Sequence, residues 1–415
     1  MSGLCYSAPV HLGWNLAHIC RLIPEAHVLF ATPPGCSRII RLSAVQKGIS
    51  ESFTTLDLSS DDIVNGSTEE RILSGARDAL AALKAQGRFP RAMLIFISCI
   101  DGFIGTDHEY YLGTLRDEFP SVKFLDCAMD PINREKQPPI VRMQSAIASL
   151  FEGDQKARAV NWLGRFLPVN ENHELKAHLN AHGVKSMHAY NCRTMDEMNK
   201  MGKSALNIVT HPTALPAAKE LEKRLGMPWF GLFSGDIFRD FPAVYDSICS
   251  ELGIPPMDTA AAALNTHAAL TRAAQSLKGI SIAVSGDAAF TPYSLALILI
   301  SHGFDVSYVF ADEAGALERD AQAQLSANGN VRLIEEGAGL ARAFSDGRYA
   351  QGKTVAIGAD AAYFCKTPHF ISRIAFGGET GFNSLADLGN ELVSAAAVKK
   401  DMHELTLSGR GCSAL

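Results

Sequence analysis

Short apolar runs rich in β-branched residues alternate along this chain with stretches in which apolar positions recur every three or four residues. That alternation predicts strands separated by amphipathic helices. The runs place strands over Ala26–Thr32, Arg91–Ser98, Val122–Cys127, Ala205–His211, Trp229–Phe233, Ile280–Ser285, Asp305–Phe310 and Thr354–Gly358. The helical period places helices over Ser67–Leu83, Pro212–Leu225 and Pro292–His302, and the Ala-rich Thr259–Ala274 adds another. A strand that feeds a helix returns to a parallel neighbour, so the expected fold class is α/β with parallel sheets. The pattern restarts after the Pro-rich Asp130–Pro139 segment and again at Lys278-Gly279-Ile280, where a glycine breaks the preceding helix. Boundaries near 150 and 278 divide the chain into 1–150, 151–277 and 278–415.

Composition narrows the function classes. The 415 residues, 47% hydrophobic, are enough for two or three buried cores. A net charge of −6 with no Lys/Arg run longer than a pair leaves no electrostatic footprint for nucleic acid or an anionic membrane. The longest apolar stretches, such as Ala92–Ile97 and Leu295–Ile300, are far shorter than a bilayer span, and no basic-then-apolar leader opens the chain. A cytoplasmic location is expected. Nine cysteines is an odd number at low density, which favours free thiols or metal ligands over a disulfide framework.

Three of these cysteines, Cys5, Cys36 and Cys99, flank predicted strands in the first hundred residues. Such thiolates meet only through the fold, as ligands to a metal cluster do. Cys36 follows a Pro33-Pro34-Gly35 turn, where Gly35 is expected to permit positive φ or close approach of a bulky cluster. Cys99 ends a strand, and the following Gly102-Phe103-Ile104-Gly105-Thr106-Asp107 supplies backbone amides and a cap for a helix beginning near His108. Cys20, Cys127, Cys192, Cys249, Cys365 and Cys412 read as small packing residues. Ser285-Gly286-Asp287 reads as a tight turn, Asp61-Asp62 as a cap or a solvated loop, and His211-Pro212 as a helix start. Neither a Gly-x-Ser-x-Gly elbow nor a His-Glu-x-x-His pair supports a hydrolase.

In these motifs the chain resembles the nitrogenase component 1 family, which includes nitrogenase α and β chains, cofactor-assembly scaffolds, dark-operative protochlorophyllide reductase and nitrogenase-like reductases such as methylthio-alkane reductase. The likeness lies in Cys5, then Pro33-Pro34-Gly35-Cys36, then Cys99 with Ile104-Gly105-Thr106-Asp107, where Thr106 replaces the usual Asp. Leu58 to Gly66, the strand Leu206-Asn207-Ile208-Val209, Gly226-Met227-Pro228-Trp229 and the closing Gly377-Gly378-Glu379-Thr380-Gly381-Phe382 extend it over most of the chain.

The resemblance implies three Rossmann-like domains and a homologous sister subunit, in an α/β heterodimer or heterotetramer. It also implies an iron–sulfur cluster of the P-cluster kind, 8Fe–7S or 4Fe–4S, held between the two chains, with electrons arriving from an ATP-dependent iron–sulfur reductase. Cys5, Cys36 and Cys99 are the implied ligands, with Cys20 as the alternative to Cys5. In nitrogenase α chains a cysteine after the Asn-Leu-Val strand and a later histidine hold a second cofactor. Here that first position falls on Thr210 or His211, which resembles a β-type chain, and His211 with His369 keeps the catalytic α-type reading as the alternative. A scaffold for cluster assembly and a cluster-free binding protein are the rivals of other classes. Dinitrogen, a tetrapyrrole and a carbon–sulfur compound all stay open as substrates.

Overall fold

The computed structural model describes residues 22–46, 48–127, 138–153, 156–312, 314–335, 349, 352–375, 377–378 and 380–401. Among them are three sheets, and every strand pairing is parallel. The first contains β1 (Ala26–Thr32), β2 (Phe53–Asp57), β3 (Ala92–Ile97) and β4 (Lys123–Asp126) in the order β2-β1-β3-β4. The second contains β5 (Ala157–Leu163), β6 (Lys185–Met187), β7 (Ser204–Val209) and β8 (Trp229–Gly231) in the order β6-β5-β7-β8. The third contains β9 (Ser281–Ser285), β10 (Asp305–Ala311), β11 (Arg332–Glu335), β12 (Thr354–Ile357) and β13 (Phe370–Ile371) in the order β11-β10-β9-β12-β13.

The α/β parallel architecture is the expected one, and its cause is visible in the first sheet. All six residues of β3 are buried because helices cover both faces, so the strand is a continuous apolar run. On one face Leu29, Met93 and Ile95 meet Ile72 and Leu80 of the helix Thr68–Ala85. On the other, Val28, Phe30 and Leu94 pack with Met143 and Ile147, and the same core continues to Leu163 and Val209 of the second sheet. The first two sheets therefore share one hydrophobic core, in which each fully buried large aliphatic or aromatic side chain contributes about 1.5–3 kcal/mol.

β1 matches its expected bounds, whereas the other expected strands are trimmed at one or both ends, except that Asp305–Phe310 is extended by a residue at its end and Ala205–His211 by one at its start. Ala205–His211 becomes Ser204–Val209 because His211 caps a short helical turn, its Nδ1 accepting from the Thr213 amide, and Pro212 cannot extend a ladder. β2, β5, β6, β11 and β13 had no clear signal. β5 hides a buried Asn161, which donates to Met201 O at 3.0 Å and Asn207 Oδ1 at 2.9 Å and accepts from the Ser204 hydroxyl at 2.8 Å. Asp62 lies in a capping box with Ser59 at the helix Ser60–Val64, the capping role expected of the Asp61-Asp62 pair.

The last helix, Gly381–Ala397, lies beside Thr259–Ser276, with Thr266 Oγ1 donating to Phe382 O at 3.0 Å. Its amino end is held from the second sheet's side by the buried Glu174 carboxylate. That carboxylate accepts from the Phe382 amide at 2.8 Å, the Asn383 amide at 3.1 Å and the Tyr245 hydroxyl at 2.7 Å.

Candidate functional site

Cys36 and Cys99 stand beyond the carboxyl ends of β1 and β3, which are neighbours in register with Ala31 opposite Ile97. Ligands bind at this edge in open parallel sheets because the loops there are free to vary. Cys36 sits in the first turn of the helix Pro34–Gln46, its amide bonded to Pro33 O at 3.1 Å. Of the two expectations for Gly35, a positive φ is not met, since Pro34 already starts the helix. Cys99 lies in a turn closed by the Asp101 amide on Ser98 O at 3.0 Å, and Gly105, at φ +64°, ends the one-turn helix that follows. Both thiols are free and half-buried, a donor type suited to iron. Phe103, 75% exposed, projects from the same loop.

Beneath the Cys99 loop lies a partly buried ionic cluster without a motif signature. His108 Nε2 meets Asp101 Oδ2 at 2.9 Å, and its Nδ1 meets Asp126 Oδ1 at 3.0 Å and the Tyr111 hydroxyl at 3.0 Å. Arg142 donates to the other Asp126 oxygen at 2.8 Å. Burial alone disfavours the charged ring, but the hydrogen bonds and charges of Asp101 and Asp126 outweigh it and push the His108 pKa up to about 9. The imidazolium is thus held between two carboxylates at neutral pH.

Cys5 and its alternative Cys20 lie outside the described residues. Among the described residues no three His, Cys, Asp or Glu side chains group as a metal site. Cys127, Cys249 and Cys365 are buried, as expected of packing residues, and half-buried Cys192 sets its sulfur 3.8 Å from that of Met201.

His211 follows β7 and packs its ring on Phe290 at 4.2 Å between centroids. Gly164, at φ +105°, ends β5 against it, and a Cβ there would fall 2.6 Å from the His211 amide nitrogen. Burial, helped by the Arg165 charge, lowers the His211 pKa to about 3, so the ring is neutral. Phe290 also lines a cavity of about 750 Å³, mouth included, between the carboxyl ends of the second and third sheets. Arg165, Arg373, Ser234, Thr380 and Gly381 line it too. Arg165 donates to Ala375 O at 2.9 Å and Gly377 O at 3.2 Å, while Arg373 is paired with Glu391 through two bonds of 2.8 Å. His369 is not brought to this place. It precedes β13, at the opposite end of the third sheet, with Nδ1 2.9 Å from both Ala395 O and Val398 O.

No curated protein sequence matches the chain. Two structures of a nitrogenase are among the solved ones that share its fold. Nitrogenase Cp1 at pH 6.5 is 14% identical with a TM-score of 0.66, covering 95% of this chain and 92% of that one. Nitrogenase Cp1 at pH 5 is 16% identical with a TM-score of 0.61, covering 95% and 90%. At such identity the likeness speaks for the fold, and it extends over nearly the whole chain. Sequence carries the rest: the family model for nitrogenase component 1 type oxidoreductases matches residues 17–343, from ahead of β1 to beyond β11, and the chain belongs to that family.

Proposed function

We propose that this chain is one subunit of a nitrogenase-type reductase and that Cys36 and Cys99, with Cys5 as third ligand, hold one side of an iron–sulfur cluster completed by a homologous sister chain. The observation that carries this reading is the placing of two free, half-buried thiols at the carboxyl ends of adjacent parallel strands. A cluster of the P-cluster kind would supply one-electron transfer, and thiolates suit it because they are soft and anionic. The chain's own part is to present Cys36 from a helix start and Cys99 from a tight turn. The exposed Phe103 offers the sister chain an apolar contact beside them. In this role the subunit relays electrons from an ATP-dependent reductase to the site of substrate reduction.

The test is iron and acid-labile sulfide content, with electron paramagnetic resonance, on the chain purified anaerobically with the partner encoded beside it. Cys36→Ala and Cys99→Ala are each expected to lose the cluster without unfolding, because both positions lie beyond strand ends. Iron content unchanged in either variant would refute the assignment.

One observation supports the α-type reading as second. The His211 ring packs on Phe290, which lines a cavity that Arg165 and Arg373 also line. Iron beyond the shared cluster, removed by His211→Ala, would favour it. Iron that stays at the shared-cluster amount in both proteins would favour the electron-relay role.

A further inference from the structure

The turn that carries Cys99 is fastened on both sides. Upstream, the Ser98 amide donates to Ala31 O at 3.1 Å, extending the β1–β3 ladder to the residue before the cysteine. Downstream, the Asp101 amide closes the turn on Ser98 O at 3.0 Å, which leaves Cys99 and Ile100 at its two corners. The Asp101 side chain is 5% exposed and is gripped by His108 Nε2 at 2.9 Å. The other nitrogen of that ring reaches Asp126 at the end of β4, and Asp126 is anchored in turn by Arg142 of the helix Pro139–Ser149. An unbroken series of charged contacts therefore runs from the cysteine turn to the edge strand of the sheet and a helix beyond it. Asp101 is the buried member of this series, and a buried charge costs several kcal/mol unless it is paired, so its contact with His108 is what makes a carboxylate tolerable beside the turn.

We infer that His108 is a positioning residue for Cys99: bridging Asp101 and Asp126, it holds the Cys99 turn in the orientation at which the thiolate meets a metal cluster. The inference rests on the reading of Cys99 as a ligand. Groups behind a metal ligand fix its direction and tune the metal, and their loss commonly weakens metal binding about 10- to 100-fold. A glutamine at 108 has no ring with two opposed nitrogens and cannot span the two carboxylates.

The test compares His108→Gln with the native chain in two states. In the metal-free chain, alkylation of Cys99 is followed by mass spectrometry against Cys36 of the same molecule. The Cys99 rate is expected to rise about tenfold while the Cys36 rate stays level. In the anaerobic complex, the cluster is expected to pass to an iron chelator about tenfold faster and to show shifted g-values. Equal acceleration of both cysteines, or an unchanged rate ratio with unchanged g-values, would overturn the inference by reducing His108 to a stabilising contact. Should His108→Gln not fold, Asp101→Asn, which keeps the side-chain shape and removes the charge, carries the same expectations. Cys99→Ala separates the two claims. Iron retained in that variant defeats the ligand reading itself, whereas iron lost there beside a native-like His108→Gln defeats only the positioning role.

Discussion

Gly381 has φ +84°, and a Cβ on it would fall 2.9 Å from His173 Nε2 and closer still to the Glu174 carboxylate. Backbone strain and overlap act together at this position, so Gly381→Ala is expected to cost about 2 kcal/mol, read as a lower denaturant midpoint. A variant as stable as the native chain would show that the carboxylate gives way. The strand-end position of Cys36 and Cys99 was the legible part of the candidate site, since each carries a local context of proline or glycine that marks a strand end. The cluster around His108 was not. Asp101, His108, Asp126 and Arg142 come from two helices, a strand end and a one-turn segment, and no spacing along the chain announces that they meet. Arg165 and Arg373 were hidden for the same reason, because only the facing of two sheets brings them to one cavity.

The sequence announced only some of the helices, missing long ones such as Pro34–Gln46 and Ile237–Glu251, but those it announced lie close to their expected places. Thr68–Ala85, Leu215–Leu225 and Pro292–Ser301 fall within a few residues of their expected bounds, because a period near 3.6 persists over ten residues or more. The unheralded strands are short or carry polar side chains satisfied only in the folded state. β6 and β13 have three and two residues, and β5 depends on Asn161 finding its partners. The helix Gly381–Ala397 has no side-chain cap of its own and takes the distant Glu174 as its anion, placed where the helix dipole and two amides favour negative charge. Glu174→Gln is expected to cost about 1–2 kcal/mol and to speed amide exchange in the first turn of that helix. Exchange unchanged there would mean that packing alone holds the helix end.

Stability of the whole molecule should depend on pH from both sides. Burial lowers the pKa of His27 to about 4, with help from Arg88, and of His188 to about 4 despite the Arg165 carbonyl. His211 falls to about 3, burial again being the main cause. As pH drops below about 6.5 the unfolded chain takes up protons that these folded histidines refuse, so stability falls. His108 works in the opposite sense. Its folded pKa of about 9 lies above the unfolded value, so its contribution is complete below about pH 6.5 and fades as pH rises to 9. The shift corresponds to at most about 3 kcal/mol. Denaturant midpoints should therefore peak near pH 6.5, and His108→Gln should flatten the alkaline limb; midpoints that rise from pH 7 to 9 would contradict this. At this scale the repeated strand–helix grammar made the parallel sheets legible, whereas the core shared by the first two sheets was not, since Phe30 and Val209 enter one core only after both sheets exist. The reach of Glu174 to Phe382 also imposes an order in time. While the chain emerges from the ribosome, the second sheet and Tyr245 are made long before the Phe382 and Asn383 amides that complete the hydrogen bonds of this carboxylate. Until then Glu174 has only the Tyr245 hydroxyl among these three donors, and a message truncated before Gly381 would leave that defect in a part of the molecule it had fully encoded.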